Sequence, residues 1–240
     1  MEDRIAKQKL DIILLVDCST SMRGGRINQV NEAIRDMQKQ LVEMQKENTN
    51  VDFYLTIITF STDARIWNQE KSKNVTAYSF RDIPAGGWTN LHLAFQKLEE
   101  LLKKESKGGM MPDFGGVAPI LLLMTDGHPT GNTYEKELNE LRKLPWFQVS
   151  LRYGIAISLR DKRTYQVLDD FVGQNGEVID CYSSKRLKEM IKLIVLTASK
   201  VKSSSTSLNL PSSKTPYEDK NSIVRQEIHQ ALEEVDDLEW

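Results

Sequence analysis

Oxygen-bearing side chains of one chemical kind occur at three separate places in the sequence. Asp17, Ser19 and Ser21 stand at alternate positions in one short segment, and Thr89 and Asp126 lie in two other segments. Carboxylate and hydroxyl oxygens are hard donors, which suit Mg²⁺, Mn²⁺ or Ca²⁺ better than zinc or copper. Serine and threonine also cap helices, so the segment with Ser19 and Ser21 taken alone is explained equally well by a helix cap, and Thr89 taken alone indicates only a cap.

Buried strands are expected to position these side chains. Residues 12–16 and 120–124 are unbroken apolar runs, typical of parallel strands buried on both faces, and an aspartate follows each run within two residues. The third segment, 86–90 (GGWTN), places two glycines before a predicted helix. In open α/β sheets ligands bind at the carboxyl ends of the strands, and all three segments are predicted to lie at that edge.

The rest of the chain alternates between helix and strand patterns. Ile27, Val30, Ile34, Met37 and Leu41 recur at helical spacing in a predicted helix of about six turns. Further strands are predicted at 51–60, 65–67, 149–157 and 177–181, further helices at 91–102, 134–144, 165–172 and 187–198, and an irregular segment at 68–84. This alternation predicts a Rossmann-like α/β fold, doubly wound around a mainly parallel sheet with helices on both faces.

The composition indicates which classes of partner and which cellular compartment to expect. The 240 residues are 28% charged and 40% hydrophobic, which is ordinary for a soluble globular protein, and the net charge of -2 gives no reason to expect nucleic acid or an anionic membrane as partner. No apolar run reaches the length of a membrane span, and no secretory signal pattern precedes the first strand. Two cysteines make neither a disulfide framework nor a metal cluster, so a cytoplasmic protein is expected.

A change in composition divides the chain into three parts. We expect a globular domain at 1–201, a flexible Ser/Pro-rich linker at 202–217 and an acidic amphipathic helix at 218–240. The last part holds eight acidic and two basic residues, a net charge of -6, so that residues 1–217 carry +4 within the total of -2.

The acidic segment allows three interpretations. It is a solvated tail, a helix that docks on a second protein through Ile228, Leu232 and Val235, or a source of a glutamate that reaches the metal.

The three oxygen-bearing segments together resemble the von Willebrand factor A (vWA) domain and its metal-ion-dependent adhesion site (MIDAS). The resemblance covers residues of about 8 to 200 and includes a complete D-x-S-x-S element. It implies that Ser19, Ser21 and Thr89 offer hydroxyl oxygens to Mg²⁺, with Mn²⁺ or Ca²⁺ also suitable, while Asp17 and Asp126 act largely through bound water. Neutral hydroxyls leave the ion's charge partly uncompensated, so it accepts an Asp or Glu carboxylate from a protein partner.

The segment 125–130 (TDGHPT) also resembles stand-alone bacterial vWA proteins associated with tellurium resistance. That resemblance implies an adaptor in a cytoplasmic stress-response or signalling assembly that works with a protein kinase and a phosphatase. Trp88 and His128 are expected to contact the partner beside the metal. The alternatives are that Trp88 packs against the sheet edge and that His128 is an ordinary loop residue.

Two other functions remain open, an accessory vWA subunit of an AAA+ or chelatase-type ATPase and a Mg²⁺-dependent phosphohydrolase. An enzyme is not expected, because an aspartyl phosphotransferase needs a second carboxylate where Ser19 stands. The chain also has no Gly-Lys-Ser/Thr phosphate loop and no Gly-x-Ser-x-Gly elbow.

Overall fold

A computed structural model describes residues 7–47, 51–127, 129–130, 134–157 and 162–181, together with residues 183, 185, 187 and 189. In chain order, the elements are β1 (Gln8–Asp17), α1 (Gly25–Glu47), β2 (Val51–Phe60), β3 (Ala64–Ile66), β4 (Lys73–Asn74), α2 (Leu91–Leu102), β5 (Ile120–Thr125), α3 (Tyr134–Arg142), α4 (Pro145–Val149), β6 (Leu151–Ile157), α5 (Lys162–Val172) and β7 (Gly176–Cys181). Most of the predicted elements are present within one or two residues of their expected bounds.

The strands of the described residues form one sheet in the order β3-β2-β1-β5-β6-β7. The pairs β1–β2, β1–β5, β5–β6 and β6–β7 are parallel, while the short strands β3 and β4 pair antiparallel with β2. The order reverses between β1 and β5, so the carboxyl ends of these two strands flank the switch point at which such folds bind ligands. The predicted doubly wound, mainly parallel fold is confirmed.

The unbroken apolar run of β1 is explained by burial on both faces. Ile12, Leu14 and Val16 pack into a core cluster with the apolar stripe of α1, and Ile13 and Leu15 pack into a second cluster with α2, α3 and α5. All five side chains have no exposed surface. The methionine-containing stripe of α1 is therefore core, as a helix beside a parallel sheet requires.

The predicted strand at 149–157 was wrong at its start. Val149 ends the short helix α4, and the strand begins only at Leu151. Pro145 occupies the first turn of α4, where the fixed φ of proline is favourable. Ser150 follows the helix, and its hydroxyl donates to the carbonyl of Phe147 at 2.7 Å. The predicted helix at 134–144 correspondingly ends at Arg142.

Two smaller corrections concern the edge of the sheet. Strand β3 ends one residue before Trp67 because Asn68 and Gln69 adopt left-handed backbone conformations, with φ of 56° and 59°. The segment predicted to be irregular contains the two-residue strand β4. Most of the predicted helix at 187–198 lies outside the described residues, although Leu187 itself is buried. No described helix is long and apolar enough to cross a membrane.

Candidate metal centre

Asp17, the last residue of β1, is fully buried at the carboxyl edge of the sheet. Its Oδ1 accepts the backbone N–H of Ser19 at 2.8 Å, and its Oδ2 accepts the hydroxyl of Thr125 at 2.6 Å. Desolvation by burial outweighs these hydrogen bonds, which lower the pKa, and the pKa of Asp17 is raised to about 6. Asp17 forms no ion pair with any residue that the structure describes, so a cation would stabilise its charged form.

Ser19, Ser21 and Asp126 form a chain of hydrogen bonds beside Asp17. The Oγ atoms of the two serines are 3.0 Å apart, and the Ser21 hydroxyl donates to Asp126 Oδ1 at 2.7 Å. The parallel register of β1 and β5 pairs Val16 with Met124, which brings the ends of the two strands together. Four of the five predicted metal-ligating residues are thereby gathered at one point.

Hydrogen bonds hold the loop at 86–90 against the Asp17 segment. The Thr20 N–H and hydroxyl both donate to the Gly87 carbonyl, at 3.0 and 2.9 Å, and the Gly86 N–H donates to the Cys18 carbonyl at 2.7 Å. Gly87 has a φ of +94°, and a Cβ at this position would lie 2.5 Å from the Thr62 hydroxyl. Glycine is therefore required for the loop to approach this closely.

Thr89, the fifth predicted residue, is buried in the adjoining loop with 8% of its surface exposed. Its N–H donates to the Thr130 hydroxyl at 3.2 Å, and its carbonyl accepts the Thr130 N–H at 2.9 Å. Its own hydroxyl makes no hydrogen bond within the described part of the chain, including to the serines and aspartates of the cluster. The backbone is thus fixed while the hydroxyl keeps its bonding capacity.

Helix capping does not account for these side chains. Ser19 precedes a single turn of 3-10 helix and makes no side-chain capping bond to it. Asn90 rather than Thr89 stands at the N-cap of α2, and Asp126 lies eight residues before the start of α3. Since the alternative of three unrelated caps needs those bonds, the geometry favours a shared ligand.

The predicted partner contacts are only partly within the described residues. Trp88 lies next to Thr89 with 64% of its surface exposed, so it does not pack against the sheet edge. The backbone N–H of Trp88 donates to the Thr62 hydroxyl at 3.2 Å, and this bond fixes the backbone at Trp88. His128 and the tail residues Ile228, Leu232 and Val235 lie outside the described residues.

Sequence reasoning missed two residues of the cluster, Thr125 and Arg26. The Thr125 hydroxyl holds Asp17, and the Arg26 Nη1 donates to Asp126 Oδ2 at 2.6 Å and to the Ser21 carbonyl at 3.0 Å. A signal for Thr125 was present, since a hydroxyl residue ends an otherwise apolar strand directly before Asp126. The signal for Arg26 was weaker, a basic residue in the first turn of a helix, where the helix dipole disfavours a cation.

The donor set fits a hard divalent cation. Among the described residues, no group of three or more His, Cys, Asp or Glu side chains is placed to hold a metal ion by itself. The cluster instead combines two carboxylates with neutral hydroxyls, and Asp17 is buried there without a counter-charge. This combination suits a small oxygen-seeking ion that retains water in its coordination shell.

We expect the metal-free protein to lose stability as the pH rises from about 4 to about 6. The pKa of Asp17 is about 6 in the folded protein, above the ordinary value of 3.8, so the folded state binds the proton more tightly and ionisation opposes folding. The shift corresponds to roughly 3 kcal/mol at neutral pH. Urea unfolding of metal-free protein across this range measures the loss.

Asp11 is the control for assigning this pH-dependent loss of stability to Asp17. Burial also raises the pKa of Asp11, so its ionisation weakens the folded state in the same direction. The loss attributed to Asp17 must therefore disappear in Asp17→Asn and persist in Asp11→Asn. A pH profile that Asp17→Asn leaves unchanged would contradict the prediction.

Comparison with known proteins identifies the architecture. The family model described as the von Willebrand factor type A domain matches residues 11–204. Human inter-alpha-trypsin inhibitor heavy chain H4 is 30% identical over 175 residues, which is 69% of this chain and 17% of the relative. The mouse inter alpha-trypsin inhibitor heavy chain 4 is 29% identical over 126 residues, covering 50% of this chain and 12% of its own. The chain therefore spans less than a fifth of the length of these relatives.

Solved structures share the fold at low sequence identity. A von Willebrand factor type A protein from Catenulispora acidiphila superposes with a TM-score of 0.56 at 14% identity, over 80% of this chain and 43% of that one. Proximal thread matrix protein 1 from the mussel byssus, described with a zinc-occupied MIDAS motif, gives 0.53 at 16% identity, over 81% and 48% of the two chains.

Proposed function

The chain belongs to the von Willebrand factor type A family, and on that premise we propose that it is a metal-dependent protein-interaction module rather than an enzyme. The family is one of metal-dependent protein-interaction domains. The observation that carries the proposal is the cluster of Ser19, Ser21 and Asp126 beside a fully buried Asp17. It lies at the strand ends where an incoming group from another molecule can reach it.

We assign Mg²⁺ to this site, with Mn²⁺ or Ca²⁺ as substitutes. The hydroxyls of Ser19, Ser21 and Thr89 would hold the ion, and Asp17 and Asp126 would support it through bound water. When bound, the ion supplies a Lewis-acid position for an Asp or Glu carboxylate of the partner. Zinc enters the tests as well, because it is named for the MIDAS of the byssus protein.

The same edge of the domain offers a contact for that partner. Trp88 adjoins Thr89 and is largely exposed, so a protein whose carboxylate reaches the metal would cover its ring. Exposed aromatic side chains are frequent anchors in interfaces. We propose Trp88 as such an anchor and include His128, which is two residues from Asp126 in the sequence, as a second contact.

The cellular setting and the C-terminal region remain part of the proposal. The resemblance of segment 125–130 supports a cytoplasmic adaptor of a bacterial stress-response or signalling assembly, with a protein kinase and a phosphatase as partners. An accessory role beside an AAA+ or chelatase-type ATPase is the alternative among binding proteins. We retain the division into a vWA domain, a linker and an acidic tail, with Ile228, Leu232 and Val235 as the docking face of the tail.

The phosphohydrolase alternative is less well supported by the geometry. A carboxylate nucleophile must reach its substrate, but Asp17 is fully buried and both of its oxygens accept hydrogen bonds. Phosphatase activity in the pure protein that is lost in Asp17→Ala would nevertheless favour the enzyme.

Metal-dependent capture of a partner tests the proposal. We expect the partner to be retained from native lysate in Mg²⁺, lost in EDTA, and weakened about tenfold by Thr89→Ala, because an oxygen donor to the metal is removed. The matched control is Thr76→Ala, which removes an exposed hydroxyl whose one hydrogen bond within the described residues is to Asn74. A chain ending at Pro216 separates the two regions, since loss of the partner with this truncation alone would move recognition to the tail and contradict recognition at the metal.

A further inference from the structure

Arg26 supplies a fixed positive charge to the metal centre. Its Nη1 lies 2.6 Å from Asp126 Oδ2, and the other carboxylate oxygen accepts the Ser21 hydroxyl at 2.7 Å. The same Nη1 donates to the Ser21 carbonyl at 3.0 Å. The Asp126 carboxylate is therefore shared between a guanidinium and a hydroxyl that the proposed function assigns to the metal.

The position of Arg26 in α1 indicates that a positive charge is present there because of the contact with Asp126. It is the second residue of α1, where the helix dipole disfavours a cation, and no acidic residue in the first turn compensates it. The Asp126 side chain is fully buried, whereas 41% of the Arg26 side chain is exposed. Arg26 thus compensates the charge of the buried Asp126 side chain while much of its own side chain stays in solvent.

We propose that Arg26 is a resident counter-charge that lowers the affinity of the site for its divalent ion and stabilises the protein when the ion is absent. This inference rests on the proposed function. The two carboxylates of the cluster carry -2, and Arg26 reduces this to -1 when both are ionised. A dication therefore meets less negative charge, and the loaded site has a net charge of +1 instead of zero.

We expect two consequences. The ion dissociates readily, and the site keeps its structure when no ion is bound. Arg26 and a divalent ion would both be held by Asp126, and these like charges repel each other, so Arg26 raises the dissociation constant of the metal. In the ion's absence, the guanidinium keeps Asp126 from being a buried charge without a partner. The residual positive charge of the loaded site also favours a carboxylate from outside.

Arg26→Gln tests the inference, with MgCl₂ as the probe and calorimetric titration and thermal unfolding as readouts. We expect Mg²⁺ to bind about tenfold more tightly, while the metal-free melting temperature falls by about 5 °C and saturating Mg²⁺ restores it. These changes have opposite signs, so a general loss of packing cannot produce both. If Arg26→Gln is unfolded without metal, refolding on addition of Mg²⁺ supports the inference, and failure to refold overturns it.

Two control variants separate charge from shape. Arg26→Lys keeps the charge and should retain the wild-type affinity for Mg²⁺ within about twofold, whereas Arg35→Gln removes a charge on the same helix from an ion pair with Asp82 and should change neither readout. Unchanged or weaker Mg²⁺ binding in Arg26→Gln overturns the inference alone. If the wild-type protein binds neither Mg²⁺, Mn²⁺, Ca²⁺ nor Zn²⁺, the proposed function fails first.

Discussion

Replacing Asp17 with asparagine is expected to stabilise the metal-free protein at pH 7 while weakening Mg²⁺ binding roughly 100-fold. The first effect follows from burial, because the folded protein holds an ionised carboxylate whose pKa has risen to about 6. Removing that charge relieves up to about 3 kcal/mol. The second effect follows from the proposed role of Asp17 in supporting the ion through water, where such residues contribute 10- to 100-fold to affinity.

The asparagine amide can replace both hydrogen bonds of the Asp17 carboxylate, and these two bonds provide an acceptor for one of its two amide N–H groups. Its oxygen can accept the Ser19 N–H in place of Asp17 Oδ1, and its nitrogen can donate to Thr125 Oγ1 in place of Oδ2. The Thr125 hydroxyl can then turn its proton to the Gly127 carbonyl, which lies 3.2 Å away. The substitution therefore removes the charge and keeps both contacts, with the direction of the Thr125 hydrogen bond reversed.

Asp126→Asn is the matched control, and its expected effect on stability has the opposite sign. Asp126 pairs with Arg26, so the loss of its charge removes a favourable interaction and lowers the free energy of unfolding. Chemical unfolding without metal and calorimetric titration with MgCl₂ measure both effects. Equal destabilisation by the two substitutions would contradict the description of Asp17 as a buried charge that lacks a cation.

Arg152→Met is expected to cost about 3–5 kcal/mol of stability, the largest structural effect that we predict, because several buried acceptors lose a charged donor together. Arg152 is buried in β6, where its Nε donates to the carbonyls of Phe171 and Val172 at 3.0 Å. Its Nη1 donates to the Phe147 carbonyl at 2.5 Å and to Ser150 Oγ at 3.2 Å. The guanidinium thus satisfies carbonyls at the carboxyl ends of two helices, α4 and α5, which favour a cation.

A methionine fills most of the space but donates nothing, so these carbonyls lose a charged donor inside the protein. For a domain of this size, we expect the melting temperature to fall by about 10 °C. Arg142→Met is the control, because Arg142 donates to the Asp170 carbonyl near the same end of α5 but is exposed. A loss below about 1 kcal/mol in both variants would show that Arg152 is replaceable.

The central strands could be predicted from the sequence because a strand buried on both faces is an unbroken run of apolar residues. Runs of apolar residues predicted β1 and β5, and three- and four-residue spacing predicted α1 and α2. Helix α4 could not be found in this way, since five residues are too few to show a helical period and Val149 favours a strand. The role of Arg152 could not be predicted either. The carbonyls that accept its hydrogen bonds come from two helices, which lie together only in the folded chain.

The candidate site was predictable to the extent that its chemistry resides in side-chain types. Asp17, Ser19, Ser21 and Asp126 lie together as expected, because parallel strands end at one edge of the sheet. The contact between Arg26 and Asp126 was not predictable, since it depends on how α1 leaves the edge after Gly24, whose φ is +79°. Whether these residues bind a metal remains a prediction for the experiments above.

The hydrogen bonds of the cluster join parts of the chain that are far apart in sequence. The bond from Ser21 to Asp126 spans 105 residues, and that from Thr20 to Gly87 spans 67. An ion held between these segments stabilises only states in which β1 and β5 are already paired, so it lengthens the lifetime of the folded chain without shortening the time needed to fold. Resistance to proteases would then follow the supply of metal, and a cell that depletes the ion would shorten the survival of the protein along with its contacts.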